Sequence, residues 1–254
     1  MKLHYQTSGS GQAVVILHGL FGSLDNWRGL AKQLAKHVQV ITVDLRNHGR
    51  SPHSEEQDYE SMANDLAELV ADLKLSQIDL IGHSVGGKVA MTFSQHYPHL
   101  LRKLAVVDIA PRLYADEHSG IFKALLNIDL NQYSSRSGVD KILSRSLPNK
   151  AIRQFLLMNL SVDDEKCRWR INLPVLAKTY PQLLAAVCEG EELLVPSCFI
   201  RGGRSHYITD SDFQLIQTTY PNSVIVTIET AGHWVHAEAP EEFLTKISEF
   251  FDYD

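Results

Sequence analysis

Cysteine is scarce. Only Cys167, Cys188 and Cys198 occur in 254 residues, and no two form a CxxC pair. That set argues against a disulfide framework or a cysteine zinc site. Long apolar runs are also missing. The first, Ala13 to Leu17, ends at His18-Gly19, well short of the ~20 apolar residues of a membrane span. It is not a signal peptide either. Positive charge is in deficit: 24 Lys and Arg stand against 30 Asp and Glu, a net charge of −6. Long-range electrostatics therefore disfavour a nucleic-acid partner. Repeats and low-complexity tracts are absent, and the terminal Asp252-Tyr253-Asp254 is no retention or prenylation signal. The expectation is a cytoplasmic protein with no membrane span.

What is present is ordinary globular material, 44% hydrophobic and 21% charged. Such a composition excludes disorder, collagen and coiled coil as whole-chain readings. Short β-branched runs alternate with helical ones. Strands are expected at Leu3–Thr7, Ala13–His18, Val38–Asp44, Ile78–His83, Leu104–Ile109, Ser197–Arg201 and Ser223–Glu229. Runs such as Val14-Val15-Ile16-Leu17 are apolar on consecutive residues, which means burial on both faces of a parallel sheet. Helices are expected at Ser61–Leu75, Val85–Tyr97, Ser211–Tyr220 and Pro240–Phe251. In the first, Met62, Leu66, Leu69, Val70 and Leu73 share one face, with Asp58 or Ser61 as cap. The alternation predicts an α/β fold with a doubly wound, mostly parallel sheet.

One segment breaks the rhythm. Residues 111–190 show helical patterns at Ile121–Ile128, Val139–Leu147, Ile152–Leu160 and Leu176–Val187, and no buried strand. The expected organisation is a core domain of residues 1–110 and 191–254, with 111–190 inserted as an all-helical cap. The insertion carries eleven Lys and Arg against eight Asp and Glu, opposite in sign to the rest.

Three stretches carry chemistry. Gly82-His83-Ser84-Val85-Gly86 is a G-x-S-x-G sequence between a strand and a helix. Such a turn lifts a serine hydroxyl above the strand ends, and its glycines remove Cβ atoms that would collide there. His18-Gly19-Leu20-Phe21-Gly22 follows the second strand. An oxyanion needs two backbone N–H donors; Val85, just after the serine, supplies one, and Leu20 is favoured over Phe21 for the other. A serine also needs a base, and histidine suits that role near neutral pH. His233, after a glycine in the loop beyond the last strand, is the candidate, with His236 as competitor. The spacing of the two histidines carries no metal pattern, since no carboxylate or cysteine joins them.

Together these motifs resemble the α/β-hydrolase superfamily over the whole length. HGLFGSLDNW, DLRNHGRS, GHSVGG, Val107-Asp108-Ile109-Ala110-Pro111, Trp169-Arg170-Ile171-Asn172-Leu173-Pro174-Val175, Arg201-Gly202-Gly203-Arg204-Ser205 and AGHWVHAEAP are similar to those of small bacterial esterases of the YbfF type. The resemblance implies a Ser–His–acid hydrolase with a helical cap over its site. Many members carry the acid as G-x-x-D after the penultimate strand, but here Ser205 stands in that place. Serine does not ionise near pH 7, so the acid must come from elsewhere. Asp108, one strand earlier, is the preferred acid, and Asp210 or Asp212 are alternatives. Ser205 remains a candidate partner of His233 or Asp108. Asp44 is expected to tie down Arg46 or backbone amides. Phe21, Trp169 and Trp234 are candidates for the substrate pocket.

The function expected is cleavage of a small-molecule carboxylic ester or an acyl thioester such as acyl-CoA, with no metal or organic cofactor. The basic insertion is what suggests the anionic thioester. A hydrolase-fold enzyme of other chemistry, such as a C–C hydrolase or lyase, and a non-catalytic ligand receptor are the alternatives. The sequence carries no signal for an oligomeric state.

Overall fold

The computed structural model describes residues 1–164 and 166–253. The chain opens with strands β1 (Tyr5–Ser8) and β2 (Ala13–Leu17), helix α1 (Arg28–Leu34) and strand β3 (Gln39–Val43). Helix α2 (Tyr59–Asp72), strand β4 (Ile78–His83), helix α3 (Val85–His96) and strand β5 (Leu101–Val107) follow. Next come α4 (Ser119–Leu126), α5 (Arg136–Leu143), α6 (Lys150–Leu157), the strands β6 (Leu160–Asp163) and β7 (Lys166–Trp169), and α7 (Leu173–Leu183). The chain closes with β8 (Ser197–Gly202), α8 (Phe213–Thr219), β9 (Ser223–Ile228), α9 (Val235–Glu238) and α10 (Pro240–Phe251).

Seven strands form one sheet in the order β1-β3-β2-β4-β5-β8-β9. All neighbours run parallel except β1, which pairs antiparallel with β3. The consecutive apolar runs now have their explanation. Val15 and Leu17 of β2 join a core with Leu66 and Leu69 of α2 and Val89 and Phe93 of α3. Val14 and Ile16 join the opposite core with Leu30 and Leu34 of α1 and Phe243 and Ile247 of α10. A central strand packed on both faces has no place for the polar half of an alternating pattern. The expected doubly wound α/β sheet is therefore what the chain builds.

Between β5 and β8 the segment is not all-helical. β6 and β7 form a separate antiparallel hairpin, pairing Leu160 with Trp169 and Val162 with Cys167. Only Leu160 and Cys167 of the two strands are buried, so neither strand carries the run of apolar residues that marks a sheet core. The turn uses Asp164 at a φ of 48°. Helices α1 and α9 are further elements that the sequence pattern did not mark, and α1 shows why. It is short, and Gly29 stands in its first turn, where glycine weakens helix propensity.

The loop after β3 is fixed by a buried ion pair. Arg46 meets Asp65 of α2 through both Nε (2.7 Å) and Nη2 (2.9 Å), and its remaining N–H groups reach the carbonyls of Glu56 and Ser61. Both side chains are almost fully enclosed. Asp44 instead accepts from the backbone amides of Leu24 and Arg50. Of the two roles expected for Asp44, only the bond to amides is present. Asp65→Ala strands a buried guanidinium and is expected to cost about 3–5 kcal/mol, read as a lower urea-unfolding midpoint at unchanged slope.

Candidate active site

Ser84 occupies the bend between β4 and α3 with φ 53° and ψ −120°, a region that non-glycine residues seldom enter. Close packing holds it there. A Cβ on Gly82 would lie 2.2 Å from the Gly86 carbonyl oxygen, and one on Gly86 would lie 2.5 Å from that of His18. Only glycine fits at either place. The Ser84 amide donates to Val107 (3.0 Å), and its carbonyl accepts from Gly87 and Lys88. The backbone is thereby anchored while the side chain faces the cleft. Val85, the first residue of α3, has an N–H with no place in the helix ladder.

The loop after β2 lines the same cavity as Ser84 through Gly19, Leu20 and Phe21. Phe21 N–H is taken, since it donates to His48 Nε2 at 3.3 Å. Leu20 N–H has no hydrogen-bond partner among the described residues. Two buried histidines brace this loop. His18 accepts from Leu45 N–H at Nε2 (3.0 Å) and donates from Nδ1 to Gly19 O (2.8 Å). His48 bridges Phe21 and the Arg46 carbonyl in the same manner. Each ring must hold one acceptor nitrogen and one N–H, so each is neutral. Burial pushes His18 down to about 4 and His48 down to about 3, where the neighbouring His18 adds to the effect.

Asp108 ends β5 at φ 51° with no exposed surface. Its carboxylate accepts Gly202 N–H at 3.0 Å, His233 Nδ1–H at 2.8 Å and a close bond from Ser205 Oγ. Ser205 Oγ in turn accepts Tyr207 N–H at 3.2 Å. The alternatives lie elsewhere: Asp210 pairs with Arg201 and Asp212 with Arg112, both at 2.6–2.7 Å. His236 is buried, stacked on Trp27 with ring centres 4.1 Å apart, and burial pushes it down to about 3. His83 Nε2–H donates to the His233 carbonyl at 2.9 Å and so fixes that loop.

Ser84 and His233 both line one cavity of about 660 Å³, with no hydrogen bond between them. Phe21 and Trp234 stand on its wall. Trp169 does not; it sits on β7 opposite Leu160 and packs on the core. Tyr207 was not singled out by sequence. Its ring stacks on His233 with centres 3.9 Å apart, and its hydroxyl reaches Glu117 at 3.0 Å. The one available signal was its position two residues beyond Ser205. Among the described residues no cluster of three His, Cys, Asp or Glu could hold a metal ion. No described helix is long and apolar enough to cross a membrane.

The alpha/beta hydrolase fold family matches residues 12–240. The chain belongs to that family. It is 38% identical to the mouse sn-1-specific diacylglycerol lipase ABHD11 over 94% of this chain and 80% of the relative. Esterase YbfF of Escherichia coli is 34% identical, covering 97% and 96% of the two chains. A solved marine microorganism esterase superposes with a TM-score of 0.95 at 40% identity, over 98% of this chain and 99% of that one. The resemblance to YbfF-type esterases read from the motifs is thus supported over nearly the whole length of this α/β-hydrolase.

The neutral histidines predict an acid sensitivity. An unfolded histidine binds a proton near pH 6.5, whereas His18, His48 and His236 resist protonation until about pH 4, 3 and 3. Between those limits the unfolded chain holds more protons. Stability is therefore expected to fall with acidification below pH 6.5, by about 1.4 kcal/mol per pH unit per histidine. Urea titrations at pH 7, 6 and 5 measure this, and His236→Gln should reduce the slope.

Proposed function

We propose that this esterase-type α/β-hydrolase cleaves small-molecule esters by two-step acyl transfer, with Ser84 as nucleophile, His233 as base and Asp108 as acid. The observation that carries the reading is the Asp108 carboxylate bonded to His233 Nδ1 (2.8 Å). That bond leaves Nε2 as the acceptor nitrogen, the tautomer that can take the serine proton. Ser84 Oγ attacks the carbonyl carbon, and its proton passes to His233. The oxygen that becomes negative is held by the amides of Leu20 and Val85. His233 then protonates the leaving group, and water enters by the same route to release the acid. Catalytic hydrogen bonds tighten in the complex with substrate, and Ser84 and His233 line the same cavity. Ser205 supplies Asp108 with a third donor and so acts through the acid. The segment 111–190 contributes Glu117, Ile152 and Phe155 to the cavity wall, consistent with a role as cap.

Neutral esters suit the cavity better than acyl-CoA. Its lining includes Asp25, Glu117 and Glu238 and, among the described residues, no lysine or arginine. The basic residues of the insertion that suggested an anionic thioester lie off this wall.

Ser84→Ala and His233→Ala are each expected to lower kcat on p-nitrophenyl butyrate by about 10⁴–10⁶, and Ser84→Ala to abolish labelling by a fluorophosphonate. Asp108→Asn should cost about 10⁴, whereas Asp210→Asn should retain wild-type rates. The opposite ranking of the two aspartates would reassign the acid.

A further inference from the structure

The space around Ser84 is divided. Besides the large cavity there is a recess of about 40 Å³, and the two share Leu20, Ser84, Glu117, His118 and Tyr207. They therefore meet at the serine. His233 lines only the large one. We propose that the preferred substrates join a short apolar acyl group, seated in the recess, to a bulky apolar alcohol, seated in the large cavity. This deepens the ester-hydrolase reading and rests on it.

Proton delivery sets the orientation. When the tetrahedral intermediate collapses, the carbon–oxygen bond to the alcohol breaks, and the alkoxide takes the proton that His233 received from Ser84. The leaving oxygen must then lie within hydrogen-bond reach of His233 Nε2, which places the alcohol on the side that His233 lines. With the carbonyl oxygen at the Leu20 and Val85 amides, the acyl tail is left the recess. Its volume is about 40 Å³ against about 660 Å³ for the large cavity, so the recess takes the smaller of the two groups.

Several polar groups of the recess are already engaged within the protein. Lys88 Nζ spends its hydrogens on the carbonyls of Arg112, Leu184 and Ala185. The Tyr59 hydroxyl donates to Leu183 O and the Tyr114 hydroxyl to Tyr207 O, both at 2.6 Å. The Tyr180 hydroxyl accepts the amides of Glu117 and His118, both at 3.2 Å. A charged acyl tail would lose its water and meet groups that are mostly engaged, His118 Nδ1 being a buried lining atom without a partner. On the other side Phe21, Ile121, Ile152, Phe155, Leu156 and Trp234 offer a wide apolar wall.

The test is a matrix of kcat/KM values for acetate, butyrate and octanoate esters of methanol and of 2-phenylethanol. At fixed acetate, 2-phenylethanol should exceed methanol by about tenfold or more, and at fixed 2-phenylethanol, octanoate should fall below acetate by about 10²-fold, in keeping with what apolar pockets discriminate. Leu183→Ala, which widens the recess, should move the optimum from acetate towards butyrate. Methyl octanoate outrunning 2-phenylethyl acetate would put the acyl chain in the large cavity and overturn the proposal while leaving ester hydrolysis intact. Absence of turnover with every ester, or undiminished turnover in Ser84→Ala, would instead remove the hydrolase reading and this proposal with it. The wild-type matrix decides by itself, whether or not the variant folds.

Discussion

A carboxylate with no exposed surface, that of Asp108, is the point on which the site is assembled. A buried charge is tolerated only when donors surround it. Here the donors come from three separate places: the end of β8 through Gly202, the following loop through Ser205, and the loop beyond β9 through His233. Satisfying one oxygen pair thus draws the carboxyl ends of β5, β8 and β9 into a single arrangement. The proposed base is aimed by a group that cannot itself be left unpaired.

The other half of the site depends on backbone rather than charge. Ser84 sits at a positive φ because β2 and α3 close on it from two sides, with glycines at the contacts. The loop carrying Leu20 is held by His18 and His48, which serve as neutral hydrogen-bond bridges rather than as acids or bases. Their burial keeps them neutral, and neutrality gives each ring the acceptor that the loop requires. His48 is positioned by a loop that the Arg46–Asp65 pair fastens to α2. A pair far from the reacting atoms therefore bears on where the Leu20 amide points.

The segment between β5 and β8 touches both functions of the site. Its Glu117 receives the hydroxyl of Tyr207, whose ring lies on His233. Both ends of the segment converge on Lys88, through Arg112 at one end and Leu184 and Ala185 at the other. Burial pushes this lysine down to about 7, and the three carbonyls are what hold its ammonium inside. The helix that begins at the serine thus also fastens both ends of the segment between β5 and β8.

Much of this was legible in the residues alone. Consecutive apolar runs announced a sheet covered on both faces, because a strand with no solvent side has no use for alternation. Ser84, the Leu20 loop and His233 were marked by glycines and by their places at strand ends. Ser205 cannot carry charge, and Asp108 was preferred over Asp210 and Asp212 by its place at a strand end and by the family resemblance. The tertiary structure alone decided the rest. The β6–β7 hairpin buries too little to leave a pattern. Tyr207, Lys88 and the two histidine bridges act through contacts between residues remote in sequence. The unequal division of space around Ser84 exists only once the insertion has packed onto the core, since volume is a property of surfaces brought together and not of any run of side chains.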